Sequence, residues 1–290
     1  MARLNQRLSQ NVDGDFYVDR TCIDCDTCRW MAPEVFYRVG EQSAVHHQPS
    51  DEHQRLLAMQ ALLACPTASI GTVEKPKDIQ AAQRSFPALI SENVYHCGYH
   101  SEDSYGAASY LIQRAEGNIL VDSPRFTAPL VKRLEEMGGI RYLYLTHRDD
   151  VADHQKFHDH FGCERILHVD EINSGTRQVE IQLSGFEPTE LAPDLLIIPV
   201  PGHTKGHTAL LYQNKFLFTG DHLAWSDQLQ QLIAFRSVCW YSWSECLQSM
   251  RRLADYSFEW VLPGHGRRHH AGSETMHQQM QQCVAWMEKN

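Results

Sequence analysis

The sequence lacks any apolar run near the ~18 residues that a membrane-spanning helix needs, so no membrane role is expected. Met1 to Asn11 carries two arginines but no apolar core, and therefore does not read as a secretory signal. Positive charge is also in deficit. Lys and Arg number 26 against 36 Asp and Glu, a formal net charge of −10. That argues against a nucleic-acid surface, because phosphate binding needs clustered Lys and Arg. What remains is ordinary for a soluble globular protein, with 42% hydrophobic and 21% charged residues. A length of 290 residues admits one or two domains.

Nine cysteines would suit an oxidising compartment if they were dispersed, but three of them crowd together as Cys22, Cys25 and Cys28. That clustering points to metal binding in a reducing, cytoplasmic setting. The spacing C-x2-C-x2-C is the iron–sulfur spacing: a tight loop aims backbone N–H groups at the thiolates and offsets their charge. Cys65, followed by Pro66 after an expected helix over residues 53–64, supplies a fourth ligand. Four thiolates favour a [4Fe-4S] over a [3Fe-4S] cluster. A structural zinc site is the alternative, although zinc ribbons usually offer two separated Cys pairs. A short strand is expected over 15–19 and a short helix over 31–36, with Pro33 early in it. Asp13, Asp15, Asp19, Asp24 and Asp26 form an acidic tilt, either a docking face for a basic redox partner protein or plain solvated surface. The segment resembles a single-cluster bacterial-type ferredoxin. Charge and proline at residues 74–78 place a linker there, giving domains over 1–80 and 86–290. Cys97, Cys163, Cys239, Cys246 and Cys283 are scattered and are expected to be small buried hydrophobes.

The second domain is organised around residues 146–154. An apolar run, Tyr142 to Leu145, reads as a buried strand. It leads without a linker into Thr146-His147-Arg148-Asp149-Asp150-Val151-Ala152-Asp153-His154. A strand ending in imidazoles and carboxylates is a rigid way to present metal ligands. Three later stretches follow or end apolar runs, each with glycine beside a potential ligand: residues 201–208 (PGHTKGHT), 218–222 (FTGDH) and 262–266 (LPGHG). Strands are expected near 109–112, 118–122, 165–168, 195–200, 215–219 and 260–262. Helices are expected near 130–137, 155–161, 246–256 and 273–289. This strand–helix rhythm describes an α/β layered domain.

The order TH…DH, PGHTxGH, TGD, PGHG resembles the metallo-β-lactamase fold superfamily, in its glyoxalase II and persulfide dioxygenase style, from about residue 90 onward. The resemblance implies an αββα sandwich preceded by the small α+β ferredoxin-like domain, with one or two iron or zinc ions. It implies His147, His203, Asp221 and His265 as ligands, with Asp153 and His154 completing a second site. Asp149 stands where the usual pattern has a second His, and the Asp153-His154 pair comes two residues late. Whether Asp149 or Asp150 reaches a metal stays open. A carboxylate at this position also resembles the flavodiiron proteins, which carry Glu there. His147, His203 and Asp221 make a 2-His-1-carboxylate set suited to iron(II) with open positions. Asp153 and His207 are the candidate catalytic side chains, His207 more as a support for the loop than as a ligand. The aromatic stretch 225–243 is expected either to roof an apolar pocket or simply to pack the core.

The function expected from these features is an iron-dependent oxidoreductase fed by the fused cluster, acting on O2, a sulfur compound or another small molecule. The alternative is a zinc- or iron-dependent hydrolase of thioester or lactone type with a structural or regulatory cluster. A non-catalytic electron carrier or sensor ranks third.

Overall fold

A computed structural model describes residues 2–290. Contacts divide the chain into two compact units: Met1–Arg141 with Ala152–Gly162, and Tyr142–Val151 with Cys163–Asn290. The boundary expected near residues 80–86 falls inside the first unit.

In the first unit, strand Phe16–Val18 pairs antiparallel with Ile70–Thr72, and Phe36–Val39 pairs with Gln42–Val45. Helix Glu52–Ala64 starts at Asp51, whose carboxylate accepts the Gln54 N–H, an ordinary N-cap. The short helix expected over 31–36 lies earlier, over Thr27–Met31, and Phe36 already begins a strand. The reason is local. Asp26 leaves the cysteine loop in a left-handed conformation (φ 67) and the chain winds into helix at once. The Ala32 N–H still bonds the Cys28 carbonyl, and Pro33 brings no N–H to carry the ladder on. The linker is tied down: Arg55 pairs with Asp78 at 2.6 Å, and the Glu74 N–H donates to Asp15 at 3.0 Å. Strands Ala88–Ser91, Val94–His96, Tyr110–Ile112 and Ile119–Val121 then pair successively antiparallel. Helices Ala128–Glu136 and His154–Phe161 complete this unit, the second closed by Gly162 in the left-handed region.

In the second unit, strand Tyr142–Tyr144 runs parallel to Glu164–His168, which runs parallel to Ile181–Leu183. A six-stranded sheet takes Thr189–Ala192, Leu195–Pro199, Thr208–Tyr212, Phe216–Gly220, Trp260–Pro263 and His269–His270 in that order. Strands 208–212 and 216–220 are buried at every position, as their unbroken apolar runs require. One face packs on helices Trp243–Leu253 and Ser273–Met287 through Val200, Leu211, Leu217, Met250, Met280 and Val284. Each motif sits where one of these strands ends, so the sheet fixes the ligand loops in space. Among the described residues no helix is long and apolar enough to cross a membrane.

Candidate functional site

The cluster site lies in the first unit. Cys22, Cys25, Cys28 and Cys65 line one pocket with Val18, Ile23, Thr27, Ser43, Thr67 and Ser69. The loop reaches this shape through Asp24 and Asp26, both at positive φ. The peptide N–H of Ser43 donates to Cys22 Sγ at 3.3 Å and that of Ser69 to Cys65 Sγ at 3.2 Å, while Thr27 Oγ1 lies 3.4 Å from Cys25 Sγ. Donors aimed at sulfur fit thiolates bound to iron. Burial pushes Cys25 up to about 11 and Cys28 well above its usual range, so iron binding must displace their protons. The loop is also anchored from 99–106 within the same unit. Tyr105 Oη donates to the Ile23 carbonyl, Thr27 Oγ1 is 3.2 Å from His100 Nδ1, and a Cβ at Gly106 would sit 2.8 Å from Cys25 Cβ. The acidic tilt is largely spent internally. Asp24 holds Arg29 and Arg38, Asp26 holds Arg29, Asp15 meets Arg55, and buried Asp19 accepts from Arg3 N–H and Thr21.

The second site is built from strand ends in the second unit. His147 follows strand 142–144, His203 and His207 lie between strands 195–199 and 208–212, Asp221 ends strand 216–220, and His265 follows strand 260–263. Nε2 of His147, His203 and His265 each lie 3.7 Å from the same oxygen, Asp221 Oδ2. Asp149 Oδ2 is 3.7 Å from His147 Nε2 and 3.5 Å from His203 Nε2. Ligand atoms held at ~2.0–2.2 Å from one ion are themselves roughly 3–3.6 Å apart, so this spacing is that of a metal shell. Two groups can hold an ion: His147, Asp149 and His203, and His147, Asp150 and Asp221. Buried atoms that face this space, His147 Nε2, His203 Nε2 and Asp221 Oδ1, have no hydrogen-bond partner, which a bound cation would repair. A Cβ at Gly264 would come within 2.7 Å of Asp150 Oδ2 and 2.9 Å of Asp221 Oδ1, so glycine is what leaves the cradle open.

Asp149, at the position usual for a second His, is thus brought to the two imidazoles, and Asp150 joins Asp221. Asp153 and His154 belong to neither group. Asp153 accepts the Phe126 N–H on Oδ2 and the Lys156 ammonium on Oδ1, which occupies both of its oxygens as a structural brace. His207 is a support. Its ring stacks on His147 at 4.7 Å, and its Nε2 accepts the Asp221 N–H at 3.2 Å, which places its proton on Nδ1. Thr146 Oγ1, 3.0 Å from His147 Nδ1, similarly orients that ring with Nε2 forward.

The charges of the site agree with its shape. Burial lowers His147 to about 4 and His222 to about 3, and holds His207 well below its ordinary value, so all three are neutral ligand or support imidazoles at neutral pH. His203 is also burdened by burial, but the Asp149 and Asp221 carboxylates outweigh it and raise it. Asp149 is lowered, chiefly by His203.

One residue was not singled out from the sequence. Glu171, fully buried, accepts the Arg148 N–H at 3.0 Å, the Arg148 Nε at 2.9 Å and the Gly206 N–H at 2.6 Å. It therefore ties the His147 loop to the His203 loop. Nothing local in a Val-Asp-Glu turn signals this. The aromatic stretch divides: Trp225 stacks on His269 at 3.9 Å, Trp243 takes Arg236 over its ring, and Trp240, 66% exposed, stands near a ligand, 6.4 Å from the His203 ring.

Comparison with known proteins agrees with both halves. Residues 18–72 match the 4Fe-4S single cluster domain of Ferredoxin I. The chain is similar to a crystal structure of the DIM-1 metallo-β-lactamase, at 17% identity and TM-score 0.53 over 68% of this chain and 95% of that one. It is also similar to a metallo-β-lactamase from Pontibacter korlensis, at 15% identity and TM-score 0.52 over 70% and 98%. The uncharacterized protein YobT of Bacillus subtilis is 32% identical over 232 residues, covering 68% of this chain and 93% of YobT. The chain belongs to the same family as YobT, with the metallo-β-lactamase fold preceded by a single-cluster 4Fe-4S ferredoxin domain.

Proposed function

We propose that this protein is an iron-dependent oxidoreductase whose [4Fe-4S] domain exchanges electrons with the metal centre of the second domain, acting on O2, a sulfur compound or another small molecule. The observation that carries the reading is Asp149, a carboxylate within 3.7 Å of His147 Nε2 and 3.5 Å of His203 Nε2. With Asp150 and Asp221 it makes three carboxylates beside three imidazoles, and oxygen-rich sets lean from zinc toward iron or manganese. Bound iron would supply one-electron redox chemistry with positions open to substrate. His147, His203, Asp149, Asp150, Asp221 and His265 are its proposed holders. His207 fixes the Asp221 backbone, Glu171 fixes the loops, and Trp240 shields the solvent side of His203.

Hydrolysis needs no electrons, which makes a cluster domain superfluous to a hydrolase. A zinc or iron hydrolase is the competing reading, because the solved structures that share this fold are metallo-β-lactamases.

Metal analysis of anaerobically purified protein, with iron and zinc counted apart from acid-labile sulfide, tests the first step. Iron beyond the cluster's share is expected, and His203→Ala or Asp221→Ala should lose it while keeping the cluster spectrum. Dithionite-reduced protein should then be reoxidised by substrate faster than its Asp221→Ala variant. Equal rates, together with thioester or lactone hydrolysis by the zinc form as fast as by the iron form, would replace this reading with the hydrolase.

A further inference from the structure

Cys97, Cys163, Cys246 and Cys283 are buried as expected of small apolar residues, but Cys239 is not: it is half-buried and reaches solvent. We propose that Cys239 and Cys246 are a redox-active dithiol beside the metal centre, closing to a disulfide when a hydroperoxide oxidises the accessible thiol, and that closure loosens the grip on His203.

The geometry is that of an accessible thiol and a sheltered partner. Cys239 lies in irregular chain just after the 3-10 turn Arg236–Val238, whereas Cys246 is fixed in helix Trp243–Leu253 at 2% exposure. The two thiols are neighbours, each the first influence on the other, and Cys246 Sγ also lies 3.8 Å from His222 Nδ1. Both sit on Gly202. Cys239 Sγ lies 3.1 Å from its carbonyl, and a Cβ there would come within 2.5 Å of Cys246 Cα, so glycine admits the close approach. The environment also separates their roles. The neighbouring Cys246 thiol, aided by the Ser242 N–H against the effect of burial, brings Cys239 down, while Cys239 and burial raise Cys246. A thiolate is the nucleophile in such chemistry.

Cys239 sulfur attacks one oxygen of the hydroperoxide, the O–O bond breaks, and an alcohol leaves with a sulfenic acid on Cys239. Cys246 sulfur attacks that sulfur, the S–S bond forms, and water leaves with the Cys246 proton. Two thiols are oxidised by two electrons and one hydroperoxide is reduced to alcohol and water. An S–S bond of about 2.05 Å pulls the two sulfurs together, and the irregular chain at 239 yields more readily than the helix. The next two residues bear on the metal centre, because the Trp240 and Tyr241 N–H groups both donate to the His203 carbonyl, at 2.9 and 3.0 Å. Ser242 N–H likewise holds the Gly202 carbonyl at 3.0 Å.

This second half rests on His203 being a ligand; the disulfide itself does not. Cleavage after Arg236 and Arg251 puts both cysteines in one tryptic peptide, residues 237–251. Whole protein is treated with cumene hydroperoxide, alkylated, digested and weighed. The expected product is peptide 237–251 unalkylated and lighter by two hydrogens, restored by dithiothreitol, with Cys246 alkylated in Cys239→Ser. Two alkylated cysteines in oxidised wild type, a sulfinate on Cys239 beside alkylated Cys246, or a cross-link from Cys246 to Cys283 would each overturn the pair. For the second half, zinc-loaded protein is challenged with a chromogenic chelator. Oxidised wild type should release zinc faster than reduced protein, and Cys239→Ser should be indifferent to the oxidant. Equal release from oxidised and reduced wild type would leave the disulfide without its proposed effect and refute that half.

Discussion

Replacing Gly264 by alanine should weaken metal binding without disturbing the fold. Gly264 follows strand Trp260–Pro263, and its N–H bonds the Gly220 carbonyl at 2.8 Å, a bond alanine keeps. Its φ lies outside the left-handed region, so the methyl meets no backbone penalty and the effect is purely steric. The new Cβ would lie 2.7 Å from Asp150 Oδ2 and 2.9 Å from Asp221 Oδ1, where ordinary contact starts at 3.4 Å. Relative to the alanine Cβ, Asp150 must retreat by about 0.7 Å and Asp221 by about 0.5 Å. Metal–ligand distances tolerate only about 0.2 Å. Disturbing the groups that merely orient ligands costs about 10–100-fold in affinity, and a loss of at least that size is expected here. The assay is competition against a chelator, with the cluster absorbance as internal standard and Gly272→Ala, which meets nothing within 4 Å, as control. Unchanged affinity in Gly264→Ala would refute the placement of Asp150 and Asp221 around one ion.

Cys25→Ala should bleach or convert the cluster, because a methyl cannot replace a thiolate; wild type holding zinc and no acid-labile sulfide after anaerobic assembly would defeat the assignment. Glu171→Ala leaves the Arg148 and Gly206 N–H groups without their acceptor. At ~1–3 kcal/mol per orphaned donor, denaturant unfolding should show a loss of roughly 2–6 kcal/mol, with Glu171→Gln milder. Glu180 is pushed up by burial, but the Arg165 guanidinium and N–H outweigh that and hold it at about 2. A depressed folded value means stability is present above the unfolded pKa, about 4.5, and drains away as pH falls toward 2. From pH 6 to pH 4 the loss should be at most about 0.8 kcal/mol, reduced by solvent screening because Glu180 is exposed. It should vanish in Glu180→Gln, and an equal slope in both proteins would remove Glu180 as its source.

The sequence alone determined the cluster site and the order of the metal motifs. Three of the cluster cysteines share one short loop, so spacing dictates their convergence. The metal motifs announce themselves because each ends a strand whose apolar run has no other reading, and His147, His203, Asp221 and His265 meet as those strand ends require. What tertiary structure decided was which carboxylate turns inward. Residues 149–154 carry three aspartates, and composition ranks them equally. The path of the chain brings Asp149 and Asp150 to the imidazoles and gives Asp153 to Phe126 and Lys156. The same holds for Glu171 and for the Cys239–Cys246 pair. Their partners are distant in sequence or depend on a glycine at residue 202, and no local periodicity records which side chain a packed sheet and helix will enclose.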